Sequence, residues 1–234
     1  MTKLNYYTAA ATRELDRLAI EEFNIPGFEL MHRAAKAAYE ALLKNWPTVK
    51  KIIVLCGTGN NGGDGFIIAA LAKQSGIDVD LFVAGDLSKV FGDAKKALDY
   101  ALSSGLKPLP AYEFNQINSQ QNNSTKNTID DAVIVDALLG TGLSGKVREP
   151  YSHLIDDINS SSLAVLAVDI PSGLCSDTGV ILGSAVKADL TIMFIGRKIG
   201  LATNSGSKLV GKLLFDDLNV PPAVYARVPV SKVI

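Results

Sequence analysis

The stretch VLCGTGNNGGDGFIIA, residues 54–69, decides how the rest of the chain is read. An apolar run ends, glycines follow at 57, 59 and 62, and a second apolar run begins. That order describes a buried strand, a tight turn and a helix, the arrangement that cradles a pyrophosphate in dinucleotide-binding folds. Asn60, Asn61, Gly63 and Asp64 are additions that an ordinary G-x-G-x-x-G turn has no use for. The stretch therefore poses a choice between a hydride-transfer site and a nucleotide site with another purpose.

Outward from this turn the chain alternates. KKIIVLC (50–56), DVDLFVAG (78–85), DAVIVDALLGTG (131–142), LAVLAVDIPSG (163–173) and DLTIMFIG (189–196) are rich in Val, Ile and Leu and read as strands. GFIIAALAKQSG, FGDAKKALDYALSSG and YSHLIDDINSS read as helices between them, and GKLLFDDL as a weaker last strand. Such alternation implies an α/β fold: a mostly parallel, doubly wound sheet covered on both faces, a three-layer sandwich. Two helices precede it, one after Thr8 and one from about Phe28 to Trp46, separated by NIPG at 24–27. The polar tract at 115–128 reads as a mobile surface loop. Residues 1–220 then make one domain, and the Pro-rich 221–234 a C-terminal arm or linker.

With 47% hydrophobic residues, 20% charged residues and a net charge of −1, the chain has the composition of a soluble globule. It lacks the basic field that nucleic acid or an acidic membrane would require. The start carries charges throughout and no long apolar run, and the two cysteines, Cys56 and Cys175, form no disulfide framework. A cytoplasmic location is expected, with neither nucleic acid nor membrane as partner.

In doubly wound sheets, ligands gather at the carboxyl ends of the strands. Three such ends carry unusual residues: the opening turn, VDALLGTGLSGKVREPY at 135–151 and VDIPSGLCSDTG at 168–179. Two glycine turns facing one crevice suit a ligand with a pyrophosphate, since backbone N–H groups and helix dipoles point at the anion. Asp64, Asp136 and Asp169 would crowd carboxylates beside those phosphates. Either some are turned away, Asp64 as a helix N-cap, or a cation sits among them. Asn61, Asp136 and Ser172 offer oxygen ligands from three separate loops, the donors a hard cation prefers.

Taken together, GTGNNGGDGF, VDALLGTGLSG with REPY, and VLAVDIPSGL with DTG and VKADLTIMF are similar to the NAD(P)H-hydrate epimerase family, the YjeF N-terminal domain. The resemblance runs from the first helix to about Leu218. It implies a Rossmann-like fold, a bound potassium ion, a homodimer, and an isomerase that interconverts the R and S forms of hydrated NADH and NADPH (NADHX and NADPHX). Carried over residue by residue, Asn60, Asn61, Gly62, Gly63 and Asp64 would hold the substrate. Gly140, Thr141, Gly142, Leu143, Ser144, Gly145 and Lys146 would form a second substrate loop, with Tyr151 beside it. Asn61, Asp136 and Ser172 would hold potassium, and Asp169 would lie against the reacting ring. A strand-end carboxylate near a cation and apolar walls can be tuned for proton transfer, so Asp169 is the expected catalytic acid–base group. Family members also occur joined to an ADP/ATP-dependent dehydratase, so a separate or fused partner of that kind is implied. Glu149 and Cys175 depart from the usual pattern, away from these ligands.

Three other readings stand beside this one. A hydride-transferring dehydrogenase needs an acid for the ribose after the second strand, where Asp86 comes late. A non-catalytic nucleotide-binding or dimerisation scaffold would have no need to keep Asn61, Asp64, Asp136, Asp169 and Ser172. A front domain serving a fused dehydratase is the third.

Overall fold

The computed structural model describes residues 5–114, 131–203 and 206–231; the polar tract at 115–128 lies outside them. The chain opens with a short strand, β1 (Tyr6–Tyr7), and two helices, α1 (Ala9–Glu21) and α2 (Gly27–Asn45). Thr8 starts α1 by accepting the Ala11 N–H on its hydroxyl at 3.1 Å, which satisfies a donor that a helix start leaves free. There follow β2 (Lys51–Cys56), α3 (Asn60–Gln74), β3 (Asp78–Val83), α4 (Gly92–Ser103), β4 (Leu109–Pro110) and β5 (Ala132–Ala137). The second half holds α5 (Tyr151–Ser160), β6 (Ala164–Val168), β7 (Leu190–Phe194), β8 (Arg197–Lys198), α6 (Gly206–Leu209), β9 (Lys212–Asp216) and α7 (Pro222–Tyr225).

Among the described residues seven strands form one sheet in the order β4-β3-β2-β5-β6-β7-β9, and every pairing in it is parallel. The doubly wound expectation is borne out. From β2 the chain winds outward to β3 and β4, then returns to the other side of β2 for β5. The strand order thus reverses between β2 and β5, and a crevice opens there at their carboxyl ends. The pleat sorts the core into two layers. Ile52, Val54 and Cys56 face the helices of the first half, α1 to α4, whereas Ile53 and Leu55 pack with Leu154, Ile155 and Ile158 of α5. Among the described residues no helix is long and apolar enough to cross a membrane.

Two features depart from the sequence-based expectation. The glycine-rich segment after β2 is the first turns of α3 rather than a loop, because α3 begins at Asn60. Glycine is a poor helix former, but here its lack of a side chain is what the packing needs. A Cβ on Gly65 would stand 2.6 Å from Cys56 Sγ and 2.7 Å from Ala137 Cβ, so only glycine lets α3 lie this close to β2 and β5. The second departure is the short parallel pair β1–β8, with Tyr6 opposite Arg197 and Tyr7 opposite Lys198. It ties the N-terminal helices to the far half of the sheet. Residues 221–231 complete the tie: Val224 and Val228 are buried, Arg227 pairs with Glu22, and Ser231 N–H donates to Tyr6 at 2.8 Å.

The G65A variant is expected to lose about 1–3 kcal/mol of stability, the cost of forcing one methyl group into a filled interface. Urea unfolding checks this; an unchanged midpoint would show that α3 has room the close approach denies.

Candidate active site

Asp169 follows the end of β6 with φ at 66°, and Ile195 follows the end of β7 with φ at 54°. Left-handed backbone is costly for residues with a side chain, most of all for a β-branched one. In each case the chain doubles back within three residues: Ile170 N–H donates to Val168 O at 2.8 Å, and Gly196 N–H to Phe194 O at 2.5 Å. Both strained residues line a cavity of about 690 Å³, and backbone strain of this kind clusters where side chains must be aimed.

The side chain so aimed is the Asp169 carboxylate, and its partner is Lys198. That lysine is 1% exposed, and its ammonium donates to Asp169 Oδ1 and, at 2.9 Å, to the Phe194 carbonyl. Phe194 N–H donates to the same Oδ1 at 3.2 Å. A buried ammonium is tolerated only with such partners. They occupy Oδ1 and leave Oδ2 as the oxygen that can meet a ligand.

From the first glycine turn Asn60, Asn61 and Asp64 reach this cavity. From the second come Gly140, Thr141, Gly142, Leu143 and Ser144, with Tyr151 at the start of α5. The Tyr151 hydroxyl donates to Ala84 O at 2.9 Å, and burial raises its pKa. Gly62 and Gly63 lie buried behind the lining, where a side chain on Gly63 would collide with Met31 Sδ at 2.7 Å. Gly145 and Lys146 are exposed and outside the lining. The two expected substrate loops therefore meet in one cavity, except for Gly62 and Gly63 behind it and the last two residues of the second loop.

Asn61, Asp136 and Ser172 come together on the backbone at 138–140. Asp136, fully buried, accepts Ser172 N–H at 2.8 Å and the Ser172 hydroxyl at 2.6 Å, with Leu138 N–H at 3.3 Å. Ser172 Oγ in turn accepts Leu139 N–H at 2.8 Å. A side chain on Gly140 would stand 3.3 Å from Asn61 Cβ. Asn61 is 9% exposed, and both its amide oxygen and amide nitrogen are buried without a hydrogen-bond partner among the described residues. Orphaned polar atoms of this kind are costly and call for a ligand. Among the described residues no three His, Cys, Asp or Glu side chains gather as a metal site. One carboxylate with amide and hydroxyl oxygens is a weakly charged set, suited to a monovalent cation rather than to zinc.

Burial pushes the Asp136 carboxyl up to about 6, against the pull of its hydrogen bonds from Ser172 and Leu138. Asp64 is raised well above the usual carboxylate range, first by burial, then by the charges of Asp169 and Asp16. It is not an N-cap: Gly59 holds that position and Asp64 lies inside α3, so the capping alternative falls. Asp16 of α1, which also lines the cavity, is pushed up to about 7 by burial, and Asp169 adds to the rise while Lys198 opposes it.

Asp16 and Lys198 are the residues that the sequence reading missed. For Asp16 a signal existed. Thr12, Leu15 and Ala19 form the buried stripe of α1, and Asp16 occupies the next position of that stripe, four residues after Thr12. A carboxyl on the apolar side of a helix needs a reason. Lys198 has no such signal, since a two-residue strand leaves no period to read.

The YjeF-related protein N-terminus family model matches residues 27–200. The chain is 42% identical over 222 residues to the bifunctional NAD(P)H-hydrate repair enzyme Nnr of Coxiella burnetii, a match covering 95% of this chain and 43% of that protein. Against the NAD(P)H-hydrate epimerase of Limosilactobacillus fermentum it is 35% identical over 210 residues, covering 90% of this chain and 95% of the relative. The crystal structure of yeast ynu0, YNL200c, shares the fold with a TM-score of 0.73 at 19% identity, over 91% of this chain and 87% of the yeast chain. The chain thus spans less than half the length of the bifunctional relatives and nearly the whole of the shorter one. With the family model covering most of the sequence and a relative of matching length beside it, the chain belongs to the YjeF-related N-terminal family.

Proposed function

We infer that this protein is an NAD(P)H-hydrate epimerase, an isomerase that interconverts the R and S forms of NADHX and NADPHX. The observation that carries the reading is the Asp169 carboxylate, held by a buried lysine at a strained strand end in the cavity where both glycine turns meet. The names of the relatives support the same activity. A hydride-transfer reading is disfavoured, because Asp86 spends its carboxylate on Ser88 N–H at 2.9 Å, capping its own turn.

The stereocentre is C6 of the hydrated nicotinamide, which carries a hydroxyl beside the ring nitrogen. Its inversion, by loss and return of water or by ring opening and closure, needs proton transfer at the C6 oxygen. Asp169 Oδ2 is the group assigned to that transfer. Asn61, Asp136 and Ser172 would hold potassium, and the orphaned amide of Asn61 supports that assignment. When bound, the ion would offset the Asp136 charge and hold together the start of α3, the end of β5 and the turn after β6.

Purified protein is expected to convert R-NADHX to the S form faster than the spontaneous reaction, followed by chromatography that resolves the two forms. Asp169→Asn should lower kcat by about 10²–10⁴-fold, the usual worth of a positioned acid–base group. Near-normal turnover by that variant would remove Asp169 from the chemistry.

Potassium affinity should depend on pH in a definite direction. Below about 6 Asp136 carries a proton that must leave before the carboxylate can hold a cation. Affinity therefore rises with pH through that value. The rise in Tm on replacing choline chloride with KCl should be larger at pH 8 than at pH 5, and absent in Asp136→Asn. An equal rise at both pH values would exclude Asp136 as the charged ligand.

A further inference from the structure

We propose that helix α1 supplies a second catalytic residue, Asp16, which carries a proton at the same reacting centre as Asp169, so that each face of the inverting carbon meets its own acid–base group. The proposal rests on the epimerase reading and adds to it a residue that lies outside the segment matched by the family model.

The geometry begins with how α1 is held. The β1–β8 pair fixes the strand leading into α1 against Lys198, with Tyr7 opposite that lysine. Gly196, between β7 and β8, lets the helix come close: a side chain there would meet Thr12 Oγ1 at 3.1 Å and Leu15 Cδ1 at 3.2 Å. Thr12 and Asp16, one helical turn apart, consequently both line the cavity. Thr12 is 4% exposed, and its hydroxyl is buried without a hydrogen-bond partner among the described residues. An unpaired buried hydroxyl beside a carboxyl, both facing the cavity, points to a polar ligand atom between them.

Several charged and titratable groups act on Asp16 or share its cavity. Arg13 lies on its own helix and lines the cavity, Asp64 stands on α3, Asp169 at the end of β6, and Lys198 on β8. Tyr225 of α7 has its hydroxyl pushed up by burial first and by Asp16 among nearby charges. Lys198 is the shared neighbour: it donates to Asp169 and its charge also acts on Asp16. Two carboxyls from separate elements therefore line one cavity within the field of one ammonium, a setting in which carboxyls can divide acid and base roles. Burial raises Asp64 well above the carboxylate range, whereas Asp16 is pushed up to about 7, where a carboxyl can both give and take a proton near neutrality.

Inversion by way of the iminium uses such a pair. Asp16 gives its proton to the C6 hydroxyl, the C–O bond breaks, and the ring nitrogen lone pair forms the C=N bond as water leaves. Water then bonds to the opposite face of C6, the C=N pair returns to nitrogen, and Asp169 takes the proton that the water sheds. One proton is given and one taken, water is neither made nor consumed, and exchange with solvent moves the proton from Asp169 back to Asp16 before the next turnover in the same direction. The reverse direction exchanges the two roles.

The test uses the full chain, wild type beside Asp16→Asn and Asp64→Asn, with R-NADHX conversion and calorimetric binding of intact NADH as separate readouts. Wild type that does no better than the spontaneous reaction overturns the epimerase reading and this proposal with it. Given an active wild type, Asp16→Asn should lower kcat by about 10²–10³-fold while NADH affinity stays within about threefold. The wild-type kcat/KM profile should fall as pH rises through about 7, the deprotonation of the donor, and this limb should be missing from the variant's residual activity. A wild-type profile without that limb overturns the proposal whether or not the variant folds. So does Asp16→Asn with near-normal kcat, or with lost NADH binding at unchanged kcat. A kcat loss at Asp64→Asn with Asp16→Asn unaffected would move the role to α3.

Discussion

The buried ammonium of Lys198 is the interaction on which the floor of the cavity depends. It donates to the Asp169 carboxylate, and its charge also acts on Asp16 of α1 and Asp64 of α3, which offsets part of the repulsion among three carboxyl groups gathered at one cavity. Burial first, and the charge of Asp169 after it, raise Asp16 and Asp64, whereas Asp169 itself is in direct hydrogen bond with the lysine. The charge arrangement and the availability of a transferable proton are two aspects of the same burial.

The scaffold holds this arrangement at definite places. Parallel strands deliver their carboxyl ends to one edge, and the reversal of strand order between β2 and β5 leaves a crevice there that forms part of the cavity. Close packing of α3 on β2 and β5 carries Asn61 and Asp64 into the crevice from one side. Strained turns after β6 and β7 bring Asp169 and Ile195 in from another. The energy stored in those turns is offset by the layers beneath, where Ile192, Phe194 and Val168 are buried in the larger of the core clusters. β1 and the segment at 221–231 then clasp α1 over β8, so elements distant in sequence finish the wall.

Much of this was legible from sequence because it is local or periodic. Val-rich runs of strand length, the helices between them and the glycine turns follow from short-range patterns, and their alternation gives a parallel sheet. Asn61, Asp136, Asp169 and Ser172 could be singled out because each stands at or just beyond a strand end, where the doubly wound fold exposes side chains to ligand. What could not be read was packing. Whether the glycines at 62, 63 and 65 serve a loop or a helix depends on Gly57, Met31 and Cys56, which approach them only in the folded chain.

The sequence by itself determined the fold class, the family and the chemical types at the strand ends, since these rest on spacing and on side-chain character that no partner can alter. Only the tertiary structure decided that Asp16 and Lys198, separated by most of the chain, share one cavity with Asp169. It also decided which carboxyls are raised, because desolvation and neighbouring charge are properties of a place rather than of a residue. Proton chemistry in this protein is therefore written in contacts between distant segments, and no window along the chain contains it.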